Sequence, residues 1–178
     1  MQKLFGEYYV KELSNKEFSG VWKKYNRIVF TGPSMPDAPA ISNEKKKKTL
    51  MRNMASMHRL NLGIYHNKNI IGWMWGKQIN YDTFLMVNTG ILPKYQGKGI
   101  YTALLKKFML MLENMGYEVV KSHHYINNNR ILLAKLKQGF VITGFEVSEH
   151  FGTIVNLTCF FNKRRKQLYE SRTGNILS

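Results

Sequence analysis

The stretch ILPKYQGKGIYTALL, residues 91–105, decides how this chain is read. An apolar, strand-like run (TFLMVNTGIL, residues 83–92) leads into Pro93, and two glycines, Gly97 and Gly99, stand before a segment of helical periodicity. In that segment Ile100, Leu104, Phe108, Met111, Leu112 and Met115 recur on one face, and Gly116 closes it. The first amides of a helix lack intrahelical acceptors and sit at the positive end of its dipole. A strand, a turn, two glycines and a helix therefore build an anion site. Without side chains at 97 and 99, phosphate oxygens can approach the backbone closely. Lys94, Lys98, Lys106 and Lys107 add positive charge nearby. The stretch predicts a cradle for a pyrophosphate.

Working outward, EYYVKEL (7–13) reads as a first short strand. Ser14 with Glu17 three residues on forms a capping box that opens a helix. Residues 31–40 hold three of the four prolines and predict a loop. A second helix is expected from about Ser42, with Leu50, Met51, Met54 and Met57 as an apolar face for core packing. RLNLGIYH and NIIGWMWGKQI alternate about the short turn His66-Asn67-Lys68-Asn69 and predict a hairpin. Trp73 and Trp75 share a face of its second strand and read as sheet packing. After the glycine stretch come a strand (YEVVKSHHYI), a helix (NNRILLAKLKQ) and a last hairpin across His150-Phe151-Gly152. The order β, α, α, β, β, β, α, β, α, β, β predicts a mixed sheet with helices on its faces.

Two phosphate-binding patterns fail on residues. The Walker A spacing is absent, and the dinucleotide fingerprint meets Thr102 where its third glycine belongs, with Glu118 at the wrong end of the following strand. Gln96-Gly97-Lys98-Gly99-Ile100-Tyr101 fits Q/R-x-x-G-x-G/A up to its last position. It resembles motif A of the GNAT superfamily of acetyl-CoA-dependent N-acetyltransferases. Asn128 at a helix start and Gly139-Phe140 at its end resemble that family's second motif. The resemblance covers residues 8–161 and is strongest over 87–140.

The resemblance implies an α/β (α+β) fold with a mixed, mostly antiparallel central sheet, flanked by helices and splayed between its two central strands. It implies acetyl-CoA as cosubstrate, no metal, and direct attack of a primary amine without an acyl-enzyme. The cofactor site would comprise Gln96, Gly97, Lys98, Gly99, Ile100, Tyr101 and Asn128. The strand edge at 89–92 would pair with the pantetheine arm, and an N–H near Ile91, beside Leu92, would polarise the thioester carbonyl. Three positions depart from the family. Tyr101 stands where Gly or Ala is usual, Lys135 where a tyrosine acts as general acid, and Gln138 where a leucine precedes Gly-Phe. Lys135, Tyr125 or a water remain candidates for the acid. His123 and Tyr125 point to one face of their strand and His124 to the other. Either histidine, or Asp82 through water, is a candidate base.

Length fits one domain, taken as residues 1–162, followed by a basic tail at 163–178. The formal charge of +16 asks for an anionic partner, and between Lys45 and Leu112 the only acidic residue is Asp82. Lys45-Lys46-Lys47-Lys48 and Lys163-Arg164-Arg165-Lys166 read as solvated faces. No apolar run reaches the roughly 18 residues of a membrane helix, Glu7 argues against a signal peptide, and the lone Cys159 agrees with a reducing cytoplasm. Cys159 itself reads as a small buried hydrophobe. The competing readings are a non-catalytic acyl-CoA-binding domain and a basic nucleic-acid module, the latter on VWKKYNR and FFNKRRKQLY. Within the enzyme reading, the basic surround favours an acidic amine acceptor over a polyamine, on a monomer or homodimer.

Overall fold

The structure, a computed structural model, describes residues 1–31, 48, 49, 52 and 56–174. Eight strands form one sheet in the order β1-β2-β3-β4-β5-β6-β8-β7. They are β1 Gln2–Phe5, β2 Tyr8–Glu12, β3 Arg59–His66, β4 Asn69–Gln78, β5 Thr83–Ile91, β6 Val119–Tyr125, β7 Val141–Ser148 and β8 Gly152–Phe160. The helices described over their whole length are α1 Asn15–Val29, α2 Ile100–Asn114, α3 Asn129–Leu136 and α4 Lys163–Arg172, with a 3₁₀ turn at Pro93–Tyr95. Every neighbouring pair of strands is antiparallel except β5 and β6. The expected mixed, mostly antiparallel sheet with flanking helices is the one found.

Local chemistry accounts for the elements. The Ser14 backbone N–H donates to Glu17 at 2.7 Å while the Glu17 N–H donates to Ser14 Oγ at 3.2 Å, closing the capping box that starts α1. The β3–β4 hairpin turns on Asn67 at φ +53°, a left-handed conformation that asparagine tolerates. α1 lies over β3, β4 and β5 and covers Trp73, which is fully buried with Leu13 and Phe18. On the opposite sheet face, Ile100, Leu104, Leu105, Phe108 and Leu112 of α2 pack on Phe84, Met86 and Val120. Full burial of each such side chain stabilises the fold by about 1.5–3 kcal/mol.

Two expectations change. The first residues form β1, which pairs with β2; LF and YYV are two arms of one hairpin rather than a lone strand. The segment expected as a basic tail forms the ten-residue helix α4 as far as Arg172. Asn162 caps it by accepting from the N–H groups of Arg164 and Arg165, and Arg165 ties it to the sheet. The expected second helix and its methionine face lie largely outside the described residues, as do most of the proline-rich loop and of the lysine run.

The β5–β6 seam positions the site. Its parallel rungs run from Thr83–Val119 to Met86–Ser122 and stop there. On its other edge, β5 skips Val87 against β4, where Gly76 faces Met86 and Trp75 faces Asn88. An extra residue of this kind bends its strand and increases the local twist. β5 past Val87 therefore has β4 on one side and no β6 rung on the other.

Candidate active site

The glycine loop joins the open end of β5 to α2. Gly97 and Gly99 both sit at φ +77°, and Gly99 is the N-cap of α2 without any side-chain cap. A Cβ added at Gly99 would meet nothing within 4 Å, and one at Gly97 only Arg130 Nη2 at 3.9 Å. The space above the first amides of α2 is therefore open, and a group carrying phosphate oxygens fits the residues present. Arg130, from the first turn of α3, brings a cation to the loop; its place right after Asn128 and Asn129 was the available signal, and sequence reasoning passed over it. Gln96 donates from Nε2 to the Ile91 carbonyl at 2.9 Å, so its side chain braces the loop against the strand end. Tyr101 turns its ring onto the main core, and burial raises the phenol pKa. Asn128 caps α3 with its backbone only; its side chain makes no capping bond. The Leu92 N–H is spent on the Ile71 carbonyl at 2.8 Å. Alternation along an antiparallel ladder then leaves the Ile91 and Thr89 amides facing the unpaired edge.

The end of the β5–β6 ladder holds a buried amine. Lys135 is 1% exposed, and its Nζ donates to Met86 Sδ at 2.8 Å and lies 4.3 Å from the Phe140 ring centre. Met86 is the β5 residue of the last rung, so the lysine reaches the point where the two strands cease to pair. Burial pulls the Lys135 pKa down to about 7, opposed only by the nearby Cys159 thiol. Cys159 is buried, as expected.

The residues of β6 divide by face. Ser122 and His124 share Lys135's side, and Ser122 Oγ lies 2.7 Å from His124 Nε2. Burial, then the Lys135 and His123 charges, lower His124 to about 4, so it is neutral near pH 7. His123, Lys121 and Tyr125 face the other way. His123 is lowered by burial, with Glu146 opposing and Lys121 assisting. Lys121 and His123 line a groove of about 460 Å³ together with Asp82, Asn156, Thr158 and Arg165. Asp82 is not a free base there. It accepts from the Thr83 hydroxyl at 2.8 Å and pairs with Arg165 Nη2 at 2.5 Å, which hold its pKa low against burial. Arg165 also reaches Glu118 at 3.1 Å, so one member of the basic run is structural. The groove residues on β8 escaped sequence reasoning, although polar Asn156 and Thr158 alternate there with Val155, Leu157 and Cys159.

Open amides at a helix N-terminus thus stand beside a strand edge without a β6 rung and a buried amine. The acetyltransferase (GNAT) family profile matches residues 10–140, and the chain belongs to that family; it is an enzyme of the N-acetyltransferase type. No curated protein sequence matches it. Solved structures share its fold. The ribosomal-protein-S18-alanine N-acetyltransferase from Escherichia coli superposes with TM-score 0.65 at 16% identity, over 87% of this chain and 94% of that one. Mutant forms of the spermidine/spermine N-acetyltransferase SpeG from Vibrio cholerae give 0.65 at 16%, over 90% and 98%. The putative acetyltransferase yncA from Salmonella typhimurium, solved with acetyl-CoA, gives 0.64 at 13%, over 88% and 95%.

Proposed function

We propose that the chain moves an acetyl group from acetyl-CoA to a primary amine of a small molecule or peptide by direct attack. The observation that carries this reading is the succession, along β5 and the loop after it, of the Lys135 amine at Met86, the edge without rungs and the open α2 amides. Bound acetyl-CoA supplies a thioester, whose carbonyl carbon the amine nitrogen attacks; the N–C bond forms, the C–S bond breaks, and the thiolate leaves. The amides of residues 97–101, with Lys98 and Arg130, hold the pyrophosphate. The Ile91 N–H faces the open edge, where it would hold the thioester carbonyl and stabilise the developing oxyanion.

Lys135 delivers the proton to the leaving thiolate. An ordinary thiol has a pKa of about 8.5, so an ammonium near 7 gives up its proton downhill. His123, neutral and facing the groove, takes the proton the amine loses, directly or through water. His124 is a weak base at about 4 and fixes Ser122 instead. Tyr125, beside His123 at the end of β6, helps bound the acceptor's approach.

Acetyl-CoA at 100 times its dissociation constant stabilises the folded chain by about 2.7 kcal/mol, a rise of roughly 5–10 °C in Tm for a protein this size. Gly99→Val, which puts a branched Cβ at φ +77° in the cradle, abolishes most of that rise. Tm unchanged at millimolar acetyl-CoA in the wild type removes the reading.

A further inference from the structure

We propose that the groove beside His123 is the acceptor site, and that it selects an amine carrying an anionic group, a carboxylate above all, about 7 Å from the nitrogen. This rests on the acetyl-transfer reading and says which amines that site takes. Two antiparallel rungs make the groove floor: His123 faces Asn156, and Lys121 faces Thr158. His123 comes right after the last β5–β6 rung, so the upper floor rung lies one residue along β6 from the place where Lys135 meets Met86, on the opposite face of the sheet. The Oδ1 of Asn156 is buried and has no hydrogen-bond partner among the described residues. A buried acceptor atom left unpaired is costly, and an N–H of the incoming amine satisfies it.

The second rung supplies the opposite chemistry. Lys121 is exposed at the groove and is two residues from His123, a spacing of about 7 Å along a strand. The other cation, Arg165, is already held by Asp82 and Glu118, so Lys121 is the one placed to receive an anion. Polycations meet a poor host here. Asp82 is the only carboxylate among the described lining residues, and Thr83 and Arg165 occupy it. Glu146 lies near His123 without lining the groove. The volume of about 460 Å³ suits a small molecule or the end of a peptide.

The test compares 6-aminohexanoate, hexylamine and spermidine as acceptors, by thiol release from acetyl-CoA, in the wild type and in Lys121→Gln. The first carries its amine and carboxylate about 7 Å apart, the second lacks the anion, and the third is a polycation. Expected is the order 6-aminohexanoate, hexylamine, spermidine in kcat/KM, spanning at least tenfold. In Lys121→Gln the KM for 6-aminohexanoate rises on the order of tenfold relative to that for hexylamine, with a smaller change in kcat. Lys121→Glu moves the preference further, toward spermidine. Better use of spermidine by the wild type, or a preference for 6-aminohexanoate that survives Lys121→Gln, overturns the proposal. So does the case in which acetyl-CoA raises the Tm and none of the three releases thiol; the cosubstrate reading then stands alone. No Tm shift with acetyl-CoA overturns both, and that separate measurement tells the two failures apart.

Discussion

His123 and His124 are neighbours in sequence and opposites in surroundings. His123 looks into an open groove beside Lys121, Glu146 and Asn156, while His124 is turned toward Ser122 and the buried Lys135. Both pKa values fall, yet the dry side depresses its groups much further: His124 to about 4 and Lys135 to about 7. The strand thus separates two electrostatic environments by the thickness of one sheet. In the proposed mechanism, proton release from the acceptor falls on the wet side and proton supply to the thiolate on the dry one.

The strongest way to break this division is Lys135→Met. Loss of the acid lowers kcat on the order of 100-fold. It also removes the decline in kcat expected as pH rises above about 7, because only the protonated lysine donates. The same change stabilises the fold by about 1–4 kcal/mol, since an apolar side chain replaces a buried amine with no carboxylate partner among the described residues. The sign with pH follows from proton counting. Between about 7 and 10.5 the unfolded chain holds a proton on Lys135 that the folded chain lacks, so wild-type stability rises through that window. Urea unfolding at pH 7 and 10 should show a slope that the methionine variant lacks; equal slopes overturn the assignment of a depressed lysine.

A second effect, on the wet side, is smaller. His123→Asn lowers kcat/KM on the order of tenfold, because water can carry the proton at an open position. It also shifts the acidic limb of the pH profile, which the wild type should show below the ordinary histidine value near 6.5. An unaltered profile would return the base to water alone.

The smallest effect on turnover is expected at His124. His124→Gln leaves kcat within about twofold, and its signature lies in stability at low pH. The unfolded chain protonates this histidine near 6.5 and the folded chain near 4. Wild-type stability therefore falls as pH drops through that interval, by about 3 kcal/mol in all. A glutamine variant whose acid unfolding matched the wild type would contradict a neutral, buried His124, and a large loss of kcat would move the catalytic role across the strand.

Much of this was legible in the chain. Two glycines between a strand and an apolar helical stripe announced the left-handed loop and the open helix start, because few other local needs place glycines there. Ser14 with Glu17, and the turn at Asn67, were equally local signals. What could not be read depended on partners distant in sequence. Lys135 read as one candidate for the acid, and only the packing of α3 against Met86 and Phe140 shows it enclosed. Arg165 looked like part of a solvated run, and its two carboxylate partners lie 47 and 83 positions earlier, at Glu118 and Asp82. β1 stayed hidden because four residues, QKLF, carry too little periodicity to register without β2 beside them.

Val87 has one more consequence. Before it, the even-numbered Phe84 and Met86 look toward α2; after it, Asn88 accepts from Trp73 Nε1 at 2.8 Å, on the α1 side, and Ile91 has joined the α2 side. Gly90 follows Asn88's orientation, and a Cβ there would come within 2.4 Å of the Trp73 ring. The strand thus changes parity midway, like a ribbon given a half-turn. Pairing Val87 with Trp75 would turn every later side chain inside out, thrusting Thr89 at the indole and Ile91 away from the core, and the amide rows along that edge would exchange places; excising residue 87 would instead straighten the edge and leave each later side chain on its own face.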